Sequence, residues 1–111
     1  MNPALRQKLD TLPDKPGCYL FRDRKGTIIY IGKALSLRKR VQSYFRESTL
    51  RKAPPKLRSL IHSVEDFDIL ALSSEARALL AEAQLVKQYR PRYNVLLRDD
   101  KDECKITCVM K

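Results

Sequence analysis

Residues 16–44 read PGCYLFRDRKGTIIYIGKALSLRKRVQSY, and this stretch decides the fold. Two segments rich in β-branched and aromatic residues, 18–22 and 27–31, flank a short polar loop that ends at Gly26. Segments of this kind, joined by a loop that contains glycine, predict a β-hairpin. We therefore expect two antiparallel strands around which the rest of the chain packs.

The register of the hairpin decides which side chains meet. If Arg22 pairs with Thr27, then Tyr19 lies opposite Tyr30, and opposed residues point to the same face. The two phenols would stand side by side. The other face is apolar and is predicted to be core; its residues are Cys18, Leu20, Ile29 and Ile31.

The same register places Gly17 opposite Gly32. Glycine inside a strand leaves room for a backbone or a ligand to approach closely. A ligand site beside the phenols is therefore one hypothesis, and an aromatic core with solvated basic flanks is the other.

A basic amphipathic helix is predicted to follow at once and to end near Arg46. At about 100° per residue, Lys33, Arg40 and Tyr44 would fall within roughly 40° of one another on one side of it. Its apolar positions recur at helical spacing, and they are Leu37, Val41, Tyr44 and Phe45.

The charge of the chain is unusually positive and is concentrated in one region. There are 23 Lys and Arg against 13 Asp and Glu, a formal net charge of +10. A local basic stripe is the electrostatic signature of nucleic-acid binding, although a merely solvated basic face is the alternative. The residues predicted to contact DNA are Lys33, Arg38, Lys39, Arg46, Arg51, Lys52, Lys56 and Arg58.

The length of 111 residues predicts one domain, over residues 1–111. No apolar run reaches the length of a membrane span and the start lacks a signal-peptide pattern, so no membrane partner is expected. Three cysteines without framework spacing indicate reduced thiols and a cytoplasmic setting.

The remaining pattern alternates helices with one more strand. Helices are predicted over 2–11, 56–64 and from a cap at Ser73 or Ser74 to 89, with a loop over 47–55. Residues 67–72 are apolar on both faces apart from Asp68, which predicts a central strand that is covered on both sides. Residues 93–97 are expected to be extended, 98–103 to form a charged turn and 104–110 a short strand.

Glu82 breaks the pattern of its own helix. Its neighbours at three and four residues in each direction are all apolar, and an unpaired carboxylate in an apolar stripe is costly to bury. Three explanations fit: a cation such as Arg40 or Lys33, a bound divalent metal such as Mg²⁺, or a helix that faces water at this point.

Together these residues suggest hydrolysis of a phosphodiester. A metal on Glu82 would stabilise the leaving oxygen or activate water, and Arg40 would neutralise charge on the phosphate oxygens. Tyr30, acidified by Lys33 or by the metal, would accept the proton of the attacking water, since a free phenol has a pKa of about 10.

At these residues the chain resembles the GIY-YIG nuclease family, and most closely its bacterial excinuclease members. Residues 17–19 match the first family triplet and 30–32 the second, with Arg40 and Tyr44 on the following helix. Residues 81–87 match the segment that carries the metal-binding glutamate, and 90–94 match the closing motif with Asn94. The match covers about 12–101; residues 102–111 diverge, as in an excised domain or a small stand-alone relative.

The resemblance implies an α+β (α/β) fold with a small three-stranded antiparallel sheet flanked by helices. It also implies metal-dependent cleavage of one DNA strand with Mg²⁺ or Mn²⁺, as in the 3′-side incision of nucleotide excision repair, and other excision-repair subunits as partners. The implied roles are base for Tyr30, helper for Lys33, electrostatic stabiliser for Arg40, water or phosphate positioning for Tyr19 and Tyr44, metal ligand for Glu82 and ordering of the site for Asn94. Two functions compete with this one: a non-catalytic basic nucleic-acid-binding module, and a domain that binds an acidic protein.

Overall fold

The computed structural model describes residues 3–95, which form a three-stranded sheet with five helices and a final helical turn over 92–95. No helix in this part of the chain is both long and apolar enough to cross a membrane. In chain order the elements are α1 (Pro3–Asp10), β1 (Gly17–Arg22), β2 (Ile28–Ala34), α2 (Leu37–Tyr44), α3 (Glu47–Lys52), α4 (Pro55–Ser63), β3 (Asp66–Ala71) and α5 (Glu75–Tyr89).

The sheet is antiparallel with the order β2-β1-β3, so the predicted α+β class and three-stranded antiparallel sheet are confirmed. The predicted central position of the third strand is wrong, because β1 lies in the centre and β3 at an edge. In β3 only Phe67 is buried. Asp68 pairs with Arg22 at 2.7 Å beside solvent, which explains how a charged residue fits an otherwise apolar strand.

The hairpin forms, but its register differs from the prediction by two residues. Tyr19 lies opposite Gly32 instead of Tyr30, and Phe21 lies opposite Tyr30. A bulge after Phe21 leaves Ile29 as an extra residue on β2, and a bulge of this kind shifts the pairing of the strand beyond it. A shift of two keeps each side chain on its face, so Tyr19 and Tyr30 still share one side of the sheet.

The two faces of the sheet are covered differently. The phenol face, which carries Tyr19 and Tyr30, packs against α1, α2 and α4 in the larger core. The α5 face carries a smaller cluster around Ile31, which packs against Leu85 and Val86 of α5. Ile29 joins the phenol face, contrary to the prediction, because it is the bulged residue.

Further local predictions need correction or comment. Lys33 belongs to β2, so the predicted helix face that combined it with Arg40 and Tyr44 is wrong. The predicted loop over 47–55 contains α3, and 93–95 are helical instead of extended. Ser74 caps α5 by accepting from the Arg77 N–H. The turn over 98–103 and the strand over 104–110 lie outside the described residues, as do residues 2, 96 and 97.

Candidate active site

Three phenols meet on the phenol face. The hydroxyl groups of Tyr19 and Tyr44 are 2.7 Å apart, within hydrogen-bond distance. The ring centroids of Tyr19 and Tyr30 are 6.2 Å apart and those of Tyr19 and Tyr44 are 5.7 Å apart, the spacing of an aromatic cluster. All three side chains are buried. Tyr19 and Tyr30, which the sequence predicted to lie directly opposite each other, are therefore diagonal neighbours across the hairpin. Tyr44 of α2 contributes the third phenol of the cluster.

Gly32 makes this arrangement possible. A Cβ atom at Gly32 would lie 2.3 Å from the Tyr19 hydroxyl oxygen, so only glycine leaves space for the phenol across the strand. A Cβ atom at Gly17 would lie 2.2 Å from the carbonyl oxygen of Leu70 on β3. The two glycines thus make room for the protein's own atoms, and the predicted close approach of a backbone is confirmed at Gly17.

The helix α2 adds a cation to the phenols. The Arg40 Nε atom lies 3.5 Å from the Tyr19 hydroxyl, and its guanidinium carbon is 5.6 Å from the centroid of the Tyr44 ring. The hydrogen bond to Tyr19 raises the pKa of Arg40 above its ordinary value, so the group stays charged. Arg40 is exposed elsewhere along its side chain and can therefore meet an anion from solvent.

Burial controls the acidity of the phenols. Burial raises the pKa of Tyr30 above that of a free phenol, and Tyr44 adds to the increase while Arg40 opposes it. Burial likewise raises the pKa of Tyr19, and the hydrogen bond from Arg40 opposes the increase. For the protein alone, the pKa of Tyr30 moves in the direction opposite to the predicted acidification, and Lys33 is not among the groups that shift it, while acidification by a bound metal stays a prediction.

Lys33 lies three residues after Tyr30 on β2 and pairs across the hairpin with Cys18. Alternation along a strand directs residues three apart to opposite faces, so Lys33 stands on the side of α5. It also reaches a surface cleft of about 550 Å³ beside α2, whose lining includes Arg40, Lys39 and Glu75. The structure thus brings Lys33 close to Arg40 through this cleft, not through a shared helix face.

Glu82 lies on α5 and is partly buried against the sheet. Its charge contributes to the raised pKa of Tyr30, and after burial it is the next cause that raises the pKa of Cys18 to about 11. Within residues 3–95 no Lys or Arg nitrogen lies within 4.0 Å of its carboxylate. Neither Arg40 nor Lys33 is therefore its ion-pair partner in this arrangement.

A divalent metal fits this carboxylate chemically. Glu82 offers a hard oxygen donor whose charge acts on Tyr30 and Cys18. The described residues contain no group of three His, Cys, Asp or Glu side chains that could enclose a metal alone. A cation here would take an oxygen from Glu82 and complete its shell with phosphate oxygens and waters, as Mg²⁺ commonly does.

Asn94 closes the outer edge of β2. Its side-chain carbonyl accepts from the N–H of Ile31 and its amide nitrogen donates to the Ile31 carbonyl, both at 2.8 Å. The side chain therefore replaces a neighbouring strand at this position. Asn94 does not contact the phenols and acts on the site through the strand that carries Tyr30.

The eight residues predicted to contact DNA fall into three groups. Arg38 and Arg58 are exposed but also donate to backbone carbonyls, at 2.8 Å to Leu12 and 3.3 Å to Ala53, so both have contacts inside the protein as well. Lys33 and Lys56 are partly exposed. The other four are exposed on α2, at the cap of α3 and on α3, and they are Lys39, Arg46, Arg51 and Lys52.

Sequence reasoning did not find the groups that hold α2 in place. Gln42 donates to the carbonyl of Leu9 at 2.8 Å, and the Ser36 hydroxyl donates to the Asp14 carboxylate. Ser36 three residues before Lys39 is a recognisable helix-cap signal, but nothing in the sequence indicates that Gln42 reaches the chain before β1.

The family profile described as the UvrC-like GIY-YIG domain matches residues 15–95. A UvrABC system protein C from Caldicellulosiruptor saccharolyticus is 46% identical over 99 residues, covering 89% of this chain and 16% of its own length. The corresponding protein of Streptococcus uberis is 48% identical over 101 residues, 91% of this chain and 16% of its own length. The chain thus spans about a sixth of these relatives.

A solved structure from Thermotoga maritima has a similar fold. It is the GIY-YIG N-terminal endonuclease domain of UvrC bound to its catalytic divalent cation, magnesium. It superimposes with a TM-score of 0.70 and 33% sequence identity, over 84% of this chain and 98% of that one. A second structure of the same domain, an asparagine-to-alanine point mutant bound to its catalytic divalent cation, also aligns with a TM-score of 0.70 and 33% identity, over 84% of this chain and 97% of that one.

Proposed function

The chain belongs to the UvrC-like GIY-YIG domain family, and on that premise we propose that it is a metal-dependent DNA endonuclease domain. It hydrolyses one phosphodiester bond in one strand, and residues 1–111 act as a single domain. The observation that carries this proposal is the meeting of Arg40 and the phenols of Tyr19, Tyr30 and Tyr44, with the partly buried Glu82 close enough to influence Tyr30.

Arg40 is the electrostatic stabiliser in this proposal. Its charge is fixed by the hydrogen bond to Tyr19, and the exposed part of its side chain faces the solvent from which DNA arrives. A preorganised cation opposite the charge that develops on a phosphate lowers the barrier without reorganising during the reaction. Lys33 lines the same cleft and adds positive charge there.

In this proposal the phenols bind and orient a phosphate or a water, and one of them accepts the proton of the attacking water. Because burial raises the pKa values of Tyr19 and Tyr30, both hydroxyl groups are protonated at neutral pH and can donate to a phosphate or a water. Tyr30 is the proposed base, and it accepts a proton only in the fraction of molecules in which its hydroxyl has already lost its own proton to solvent, a fraction that the charge of Arg40 increases. Tyr19 and Tyr44 hold each other in place by their hydrogen bond.

Glu82 is the proposed holder of a divalent cation, Mg²⁺ or Mn²⁺. Such a cation supplies Lewis-acid stabilisation of the charge on the phosphate oxygens. Asn94 is the proposed positioning residue of β2, through its two hydrogen bonds to Ile31.

The wider role rests on the relatives that this chain matches in part. We propose that the whole protein makes the 3′-side incision of nucleotide excision repair in the cytoplasm, with DNA and the other subunits of the UvrABC system as partners. The net charge of +10 and the exposed cations of α2 and α3 support binding to DNA.

The test is nicking of supercoiled DNA in Mg²⁺ or Mn²⁺ by the wild type and Glu82→Gln. We expect the variant to cut at least ~100-fold more slowly, since removing one electrostatic contribution to a transition state costs about 10²–10³ in rate. Its free energy of unfolding should change by less than about 0.5 kcal/mol, because the side chain keeps its shape and is only partly buried. The measurements are cleavage rate and urea unfolding.

Glu65→Gln is the matched control, because it makes the same charge change at an exposed residue that does not line the cleft of Lys33 and Arg40. It should cut close to the wild-type rate if the position of Glu82, and not the net charge of the protein, matters. Equal rates for the wild type and Glu82→Gln would contradict the metal site. Salt-dependent DNA binding without cleavage in either metal would instead support a non-catalytic module.

A further inference from the structure

The segment of residues 9–15, which starts with the last two residues of α1 and ends before β1, is held against α2 by its backbone, and we call it the strap. Carbonyl groups at four of its seven positions accept hydrogen bonds from α2, and a fifth position contributes a carboxylate that accepts from Ser36, the cap residue of α2. The four carbonyls belong to Leu9, Leu12, Pro13 and Lys15, and the carboxylate belongs to Asp14. A seven-residue segment with five acceptors on one helix and its cap fixes that helix closely.

The strap occupies the start of α2. The N–H of Leu37 donates to Lys15 at 2.9 Å and that of Arg38 donates to Pro13 at 3.1 Å. The next two N–H groups, of Lys39 and Arg40, donate to the side chain and the carbonyl of Ser36. These are the groups that a helix otherwise offers to an anion. The end of α2 is thus closed to a DNA phosphate, which must be met by side chains.

The side chains of α2 form two rows on different sides. Arg38 and Gln42, four residues apart, both donate to strap carbonyls, from Nε to Leu12 and from Nε2 to Leu9, at 2.8 Å each. Arg40 and Tyr44, also four residues apart, face Tyr19. Residues two apart on a helix differ by about 200°, so fixing the first row fixes where the second row points.

We propose that Arg38 is a positioning residue, which acts with Gln42 to set the rotation of α2 and thereby directs Arg40 and Tyr44 toward Tyr19. This role differs from the DNA contact that the sequence predicted for Arg38, and it rests on the proposed endonuclease function. Lys39 is the contrast on the same helix, because its side chain has no hydrogen bond or ion pair within residues 3–95 and is free to meet DNA.

The test compares Arg38→Ala with Lys39→Ala for cleavage and for binding to duplex DNA. Arg38→Ala should lower kcat about tenfold or more, while the Kd for DNA in Ca²⁺ and its salt dependence stay at the wild-type values. Lys39→Ala should raise Kd and reduce the slope of log K against log salt by about one, as expected for the loss of one phosphate contact. A similar loss of binding and slope for Arg38→Ala would make Arg38 a DNA contact and overturn the proposal.

Gln42→Ala separates positioning from charge and from stability. Gln42 carries no charge. The variant Gln42→Ala should therefore lower kcat as Arg38→Ala does only if the two side chains that donate to the strap, those of Arg38 and Gln42, position α2. Because the chain contains no tryptophan, its near-ultraviolet circular dichroism reports mainly on tyrosines. Both variants should change that spectrum well below their unfolding temperatures, which a loss of stability alone would not do.

These outcomes remain distinguishable from failure of the proposed function. If the wild type does not cut DNA, the endonuclease proposal fails, while the tyrosine spectra of the two variants still decide whether the strap row orients α2. Unchanged kcat and unchanged spectra in both variants would overturn the positioning role.

Discussion

The helices that cover the two faces of the sheet differ in how much apolar side chain they leave exposed to solvent. On the phenol face the side chains of Tyr19 and Phe21 are 1% and 0% exposed, and the polar atoms of the phenols face one another and Arg40. On the α5 face the covering helix leaves Leu79 and Leu80 exposed at 52% and 66%. Glu82 on that helix is partly buried and has no cation within 4.0 Å in the described chain.

This difference separates stability from chemistry. The phenols are part of the larger core, so a change there alters the packing and the proposed reaction together. Glu82 lies on a helix whose packing is carried by Leu85 and Val86, so its charge can change with little effect on folding. Substitutions on the phenol face should therefore lower stability and activity in parallel, whereas Glu82→Gln should lower activity alone.

The largest loss of stability is expected from Gly32→Ala, which inserts one carbon into the phenol face. The new Cβ atom would lie 2.3 Å from the Tyr19 hydroxyl oxygen, so the ring must move and its hydrogen bond to Tyr44 is lost. Overpacking of a core costs about 1–3 kcal/mol, and the lost hydrogen bond adds about 1 kcal/mol. The free energy of unfolding, measured by chemical denaturation, and the nicking rate should both fall.

Gly26→Ala is the control for this substitution. Gly26 has a φ of 82° but no neighbour within 4 Å of a new Cβ atom. The substitution therefore strains the backbone, because alanine disfavours this φ, without disturbing the phenols. Reduced stability with a normal nicking rate is expected. If Gly32→Ala behaved in the same way, the coupling of stability and chemistry on the phenol face would be disproved.

The order of secondary-structure elements could be predicted from local pattern, but the contacts between them could not. The hairpin and the helices over 56–64 and 75–89 follow from alternation and from helical spacing. The register could not be read, because the bulge at Ile29 is a feature of the closed sheet and leaves no mark in the residue pattern. The central position of β1 was hidden because an edge strand such as β3 can be as apolar in sequence as a central one.

The candidate site was predictable in its residues more than in its geometry. Gly32, which makes room for Tyr19, could be recognised in the sequence as a glycine inside a strand. The sequence did not show that the Tyr19 ring fills the space beside it. Lys33 was placed on a helix because helical spacing continued across the strand end. Arg38 looked like a DNA contact because charge alone does not show that a guanidinium donates to a nearby carbonyl.

An intermediate loss is expected from Asn94→Ala, which tests the edge where the two faces meet. The variant removes both 2.8 Å hydrogen bonds to Ile31, a residue that is fully buried on the α5 face. Leaving a partly buried N–H and carbonyl without partners costs about 1–3 kcal/mol in unfolding free energy. Hydrogen exchange of the Ile31 amide should accelerate, and the tyrosine spectrum should change because Ile31 adjoins Tyr30 on β2.

Asn94→Asp is the matched variant for this edge. A carboxylate still accepts from the Ile31 N–H but cannot donate to the Ile31 carbonyl, so protection of the amide should be kept in part. An unchanged tyrosine spectrum in Asn94→Ala would show that the edge of β2 and the phenol face respond independently, and it would contradict the positioning role of Asn94.

The smallest effect is expected from Asp66→Asn, at the ion pair that joins α1 to the start of β3. Lys8 Nζ lies 2.7 Å from Asp66, but the two side chains are 42% and 52% exposed, so the pair contributes less than about 1 kcal/mol. The asparagine still accepts from the Phe67 N–H, so the substitution isolates the charge. Urea unfolding across pH measures its contribution.

The pH dependence gives the sign of this contribution. The hydrogen bond from Lys8 lowers the pKa of the Asp66 carboxyl below its ordinary value in the folded protein. The stabilisation is therefore complete above the unfolded pKa of about 3.9 and is lost as the pH falls through the lower folded value. Asp66→Asn should be less stable than the wild type at pH 7 and equal to it in strong acid, and Lys8→Gln should erase the same difference. If the difference in unfolding free energy between the wild type and Asp66→Asn persisted in acid, Asp66 would stabilise the edge of the phenol face by packing. Even the exposed residues at this edge would then contribute to the packing of the core.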